Sequence, residues 1–219
     1  MNLTIFDEYD LRARVSVWII LMAPIIIPLY IISDSIKSLS TTAIILITLI
    51  ALSNLFIIVI RKAAKDKYDI KHKYVKKYFK DNLNKEITKI ILEKLNSINP
   101  GIKEILEDID NDKFDETLDT ALKIIKKNVR DNKLVREENI QYGFCRNIYA
   151  TRIFGRTISL VMICVEIILY QSNMIENISF MVSIIISLMF LILWIFFVKS
   201  SIVVFSANNY AEALFDAFV

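Results

Sequence analysis

The sequence predicts an all-α membrane protein in which two transmembrane hairpins flank a helical cytoplasmic domain. Three observations lead there. Of the 219 residues, 55% are hydrophobic, above the 45–50% usual for a soluble domain, and the long apolar runs fall almost wholly within residues 15–60 and 157–198. The charge falls between them: outside residues 61–156 the only Lys or Arg are Arg12, Arg14, Lys37 and Lys199. No stretch alternates apolar and polar residues as a half-buried strand would.

Segment 1–14 precedes the first run and carries acids in "MNLTIFDEYDLRARV". With no small-residue cleavage site after it, the run reads as a retained span rather than a secretory leader. Crossing a bilayer takes roughly 20 apolar residues as helix. Four segments qualify: about Val15–Ser33, Ser40–Ile60, Thr157–Ile175 and Phe180–Val198. The short links "DSIKSL" and "SNMIEN" make the pairs hairpins, hairpin 1 over 15–60 and hairpin 2 over 157–198. Residues 61–156 hold 23 Lys/Arg against 16 Asp/Glu, and basic loops stay cytoplasmic. Both termini therefore face the cytoplasm of a multi-pass protein. In the first span, Pro24 and Pro28 each remove a helix hydrogen bond. They are either tolerated kinks or a bend that moves in gating.

The stretch 61–80 has nine basic residues, two acids and four aromatics. Its apolar spacing continues through Ile87, Ile91, Leu95 and Ile98, so the second span is expected to continue as one long helix to the breaker Asn99-Pro100-Gly101. Shorter helices follow over "IKEILEDI" and "FDETLDTALKIIKKNV", the latter with Phe114, Leu118, Leu122, Ile125 and Val129 on one face. Its acids come first and its lysines last, as the helix dipole favours. So small a core is marginal alone and would gain from packing against copies of itself, which favours a homo-oligomer. In the tail 199–219, Tyr210, Leu214 and Phe218 form an apolar stripe for the bilayer interface or a partner.

Two stretches offer binding or coupling chemistry. The basic run has one reading as positive-inside anchoring to anionic lipid headgroups. It outlasts the interface, however, and in the other reading Lys71, Lys73, Lys76, Lys77 and Lys80 hold a nucleotide or single-stranded nucleic acid, with Tyr74 and Tyr78 stacking on bases. In "ENIQYGFCRN", Gly143 and Arg146 are either a loop glycine with an anchoring cation or a hinge between the soluble domain and the third span.

Glu166 is the outstanding residue of the third span. From a start near Thr157 it lies about 13 Å into the helix, where an acid costs ~3 kcal/mol. Ser159 and Asn173, seven residues to either side, are expected to form a polar stripe with it. One solution is a neutral acid bonded to Thr48, Ser53 or Asn54 of the second span. Another is a ring of carboxylates lining the pore of an oligomer, a common cation filter.

One His, three Gly and two Cys leave no phosphate-binding glycine loop, nucleophile elbow or metal-ligand cluster. The expectation is a non-enzyme without cofactor or metal.

The order of hairpin, basic helical domain, hairpin and "YAEALF" tail, with "YGFCRN" before the third span, resembles the four-transmembrane effectors of bacterial anti-phage operons encoded beside nucleotidyltransferase-like enzymes. The resemblance implies a membrane-disrupting channel of the bacterial inner membrane, controlled by a nucleotide or oligonucleotide at its cytoplasmic domain. A nucleotidyltransferase-like enzyme would be its operon partner. The competing reading from the residues is a non-conducting membrane scaffold or sensor that recruits a cytosolic protein.

Overall fold

The computed structural model describes residues 7–32, 70–83 and 85–219. Every element there is a helix. Among the described residues, three helices are long and apolar enough to cross a membrane: α1 (Glu8–Ile32), α7 (Arg152–Gln171) and α8 (Asn177–Phe197). They mark the chain as membrane-associated. The expected second span lies outside the described residues, and so does hairpin 1 as a pair.

The remaining helices are α2 (Ile70–Asp81), α3 (Glu86–Ile98), α4 (Ile102–Glu107), α5 (Phe114–Asn128), α6 (Lys133–Ala150) and α9 (Ser200–Asp216). The single long helix expected up to Asn99 is interrupted. At the end of α2, the Asn82 side chain donates to the carbonyl of Tyr78 (2.7 Å), and the Thr88 hydroxyl returns to the carbonyl of Asn82 (2.7 Å). Local side-chain bonds of this kind compete with the helix ladder. The Asn99-Pro100-Gly101 breaker acts as its chemistry requires. Asn99 is extended before the proline, and Gly101 takes φ +91°, a conformation open to glycine at little steric cost.

The chain divides into two compact units. One holds α1 together with Gly143–Ile202. In it α1, α7 and α8 pack on one another. Each helix turns one stripe inward: Val17, Leu21, Pro24 and Pro28 of α1; Gly155, Ser159, Met162 and Glu166 of α7; Ser183, Ser187 and Trp194 of α8. The spacing within each stripe is three, four or seven residues, that of a single helix face. An apolar cluster of Val17, Trp18, Leu21, Ile148, Trp194 and Val198 closes one end. Pro24 and Pro28 lie within an uninterrupted helix, on its buried face.

The other unit holds the described residues from 70 to 142 together with Val203–Val219. Its core is apolar: Phe79, Leu92, Leu95, Leu106, Leu118 and Leu122 are among the buried side chains. All five residues foreseen on the α5 face are buried, whereas Ile98 and Ile109 are exposed. The C-terminal stripe is not left for a bilayer or a partner. Tyr210, Leu214 and Phe218 are buried, with Tyr210 stacked on Tyr142 of α6 and Phe215 stacked on Tyr78 and tilted against Phe79 of α2. Small helices short of core gain stability from any amphipathic neighbour, and here α9 provides it.

Candidate functional site: a carboxyl inside an apolar helix unit

Helix α7 begins at Arg152, so Glu166 lies about 21 Å along it at 1.5 Å per residue. The side chain is fully buried, and Ser159 shares its face. That face turns into the unit of α1, α7 and α8. Glu166 Oε1 accepts the hydroxyl of Ser187 on α8 at 2.8 Å. Its Oε2, also buried, has no hydrogen-bond partner among the described residues. Ser159 donates back to the carbonyl of Gly155 (2.9 Å) and Ser183 to that of Phe180 (3.1 Å). Together Ser159, Glu166, Ser183 and Ser187 form a polar seam, all with zero exposure.

The outward surface of α7 and α8 has the opposite character. Leu160, Val161, Ile167 and Ile168 of α7 are exposed, as are Met181, Ile185, Leu188 and Met189 of α8.

Asn173 is a correction. Helix α7 ends at Gln171, and Asn173 sits in the following turn at φ 55°, exposed to the outside. Its side chain does not continue the face of Ser159 and Glu166. Asn is among the few non-glycine residues that adopt this conformation readily, which suits it to ending the helix. The donor that does reach Glu166, Ser187, was missed by sequence reasoning. The signal was present: Ser183 and Ser187 are the only polar residues between Phe180 and Val198, and they stand one turn apart.

The expected anchors Thr48, Ser53 and Asn54 lie outside the described residues. So does the side chain of Lys71, which begins α2. Of the other six basic-run residues, three are engaged within their own unit. Lys76 pairs with Asp119 of α5 at 3.0 Å. Lys80 pairs with Asp115 at 3.3 Å and lies 4.9 Å from the centre of the Phe114 ring. Tyr78 stacks on Phe215, with ring centres 5.7 Å apart and planes 10° from parallel. That ring face is closed to a nucleic-acid base. Burial, and then the carboxylates of Glu212 and Asp216, hold the Tyr78 hydroxyl above its ordinary pKa. Lys73 and Lys77 are exposed and Tyr74 is half-buried.

Gly143 is inside α6 and not in a loop. A β-carbon there would overlap the Tyr9 ring, so its lack of a side chain allows close packing of α1 on α6. Arg146 is half-buried on the same helix, and the next residue, Asn147, is buried and donates to the carbonyl of Ala13 at 2.7 Å. Gly155 has the same use: the Trp194 indole occupies the space a side chain would need.

No protein-family model, curated protein or solved structure matches the chain.

Proposed function

We propose that the protein is an oligomeric ion channel of the bacterial inner membrane that acts as an anti-phage effector. A nucleotide or nucleic acid at the cytoplasmic helical unit gates it. The observation that carries this reading is the partnering of Glu166. An acid inside a span costs up to about 2.5–3.5 kcal/mol on insertion scales, the most at its centre, whereas an interhelical hydrogen bond in a membrane returns about 0.6 kcal/mol on average. A second serine would join α7 and α8 at far lower cost. A carboxyl that holds one hydroxyl, with its other oxygen unpartnered among the described residues, is better suited to meeting a cation.

In this reading the conformation is closed, with the seam of Ser159, Glu166, Ser183 and Ser187 occluded. Opening wets the seam, and Glu166 gives it cation preference. The ligand would meet Lys73 and Lys77, with Lys76 and Lys80 keeping their partners on α5.

One observation favours a second reading, the non-conducting scaffold. Glu166 is bonded within its own chain, and the outward faces of α7 and α8 are apolar. There Glu166 is interhelical glue and the helical unit recruits a protein. Expressing the full chain in bacteria loaded with a potential-sensitive dye separates the two. The channel reading expects depolarisation that Glu166→Gln changes in size or ion dependence. Full polarisation with folded, membrane-inserted protein would favour the scaffold.

A further inference from the structure

The buried seam holds more acceptors than donors. A serine hydroxyl has one proton to give, and all three in the seam are spent. Ser159 donates to the carbonyl of Gly155, Ser183 to that of Phe180 and Ser187 to Glu166 Oε1. Oε2 of Glu166 is buried and has no partner among the described residues. Helix α1 brings further acceptors. Proline has no amide proton, so Pro28 leaves the Pro24 carbonyl without the donor that an α-helix supplies four residues on. Pro24 does the same to the Ile20 carbonyl. Both prolines lie on the buried face of α1, and residues four apart in a helix share a face.

The level of the prolines follows from the packing. Gly143 lies against Tyr9, Asn147 bonds to Ala13 and Gly155 lies against Trp194. Helices α6 and α7 therefore follow α1, and α8 returns antiparallel to it. Trp194 clusters with Val17 and Leu21. Ser187 stands seven residues before Trp194 on α8. The same seven residues along α1, about 10 Å of helix, lead from Val17 to Pro24 and from Leu21 to Pro28. The serine that holds Glu166 is thus level with the proline pair.

We propose that Glu166 Oε2, the Ser187 hydroxyl oxygen and the Pro24 carbonyl form a binding site for a small alkali cation of the sodium class. Carboxylate, hydroxyl and carbonyl oxygens suit a hard cation, and carbonyls released from a helix ladder coordinate sodium in membrane transporters. One carboxylate balances one positive charge. Calcium sites gather several carboxylates, and among the described residues no three of His, Cys, Asp or Glu come together to hold a metal ion. The site rests on the channel reading for its use and names where the ion stops. The test reads binding at equilibrium and not conduction, so the two can fail separately.

Radiolabelled sodium is added to the purified full chain in lipid nanodiscs. Binding is expected to saturate, to be displaced by unlabelled sodium chloride and to survive choline chloride at the same ionic strength. Glu166→Gln keeps the shape, removes the charge and is expected to abolish binding. Pro28→Ala returns an amide proton to the Pro24 carbonyl, and alanine favours the helix, so the fold is kept. It is expected to weaken sodium affinity several-fold. Pro24→Ala restores only the donor to Ile20, a turn nearer Trp194, and is expected to weaken it less. Three results would overturn the proposal: no saturable sodium binding by the wild type, binding that survives Glu166→Gln, or wild-type affinity in Pro28→Ala. The first is the result expected if a proton on Oε2, bonded to the Pro24 carbonyl, fills the gap instead. Saturable binding by a chain that conducts no ions would keep the site and remove the channel.

Discussion

The two units differ in what they bury beside their apolar side chains. In the unit of α2–α5 the buried side chains are Leu92, Leu95, Leu118, Leu122 and Ile125, and the charges of Lys76, Lys80, Asp115 and Asp119 lie towards the surface. In the unit of α1, α7 and α8 the interior adds Gly155, Ser159, Glu166, Ser183 and Ser187 to the apolar cluster around Val17, Leu21 and Trp194, and the outside is Leu160, Ile168, Met181 and Met189. Water drives the first arrangement by rejecting apolar surface. Lipid gives no such drive between helices. Close approach of small residues and interhelical hydrogen bonds take its place. The solvent each unit is built for can therefore be read from which kind of residue it hides.

Removing apolar volume breaks the comparison hardest. Leu122→Ala should destabilise the helical unit by about 2–5 kcal/mol, measured as a drop in Tm of the detergent-solubilised protein. Ile168→Ala, on an equally apolar but outward residue, should change it by less than about 0.5 kcal/mol. Equal losses would mean that Ile168 is packed rather than lipid-facing.

The next effect runs the opposite way. Glu166→Leu removes a carboxyl that costs up to about 2.5–3.5 kcal/mol on insertion scales, so it should raise the membrane-inserted fraction of the chain and leave thermal unfolding of the inserted protein nearly unchanged. Loss of stability in thermal unfolding would mean that the carboxyl has structural partners beyond Ser187. Ser187→Ala should cost only about 0.6 kcal/mol and add nothing further in the Glu166→Leu background.

The smallest effect belongs to Tyr78 and appears only in alkali. Its pKa in the folded protein lies above the ordinary value near 10, so the fold favours the neutral phenol. That stability is complete below about pH 10 and is lost as pH rises through the folded value. Tyr78→Phe should flatten the alkaline end of a Tm-against-pH curve and leave neutral pH nearly unchanged.

The inward stripe of α7 was half legible in the sequence. Ser159 and Glu166 stand seven apart, and they do share a face. Asn173 fits the same spacing but falls past the helix end, because periodicity carries no information about where a helix stops. Ser187 escaped because two serines in a nineteen-residue apolar run look like noise until a partner helix is placed beside them. The face of α5 was fully legible, since five apolar residues at helical spacing leave no alternative. The partners of Lys76, Lys80 and Tyr78 were hidden for a different reason. A run of lysines looks solvated until the chain folds Asp115, Asp119 and Phe215 against it. "YGFCRN" read as a loop around a glycine, whereas the close approach of Tyr9 that explains Gly143 depends on a contact 134 residues away in the chain.

The central claim is that Glu166 is the cation-meeting group of a gated path and not a structural bond. The most direct measurement is ion flux from liposomes holding the purified full chain, with and without short single-stranded DNA or cyclic oligonucleotides, in wild type and Glu166→Gln. The account predicts flux that changes with one of these ligands and whose cation preference falls in Glu166→Gln. No flux under any condition from folded protein, or flux indifferent to Glu166→Gln, would contradict it and leave Glu166 as a tie between α7 and α8.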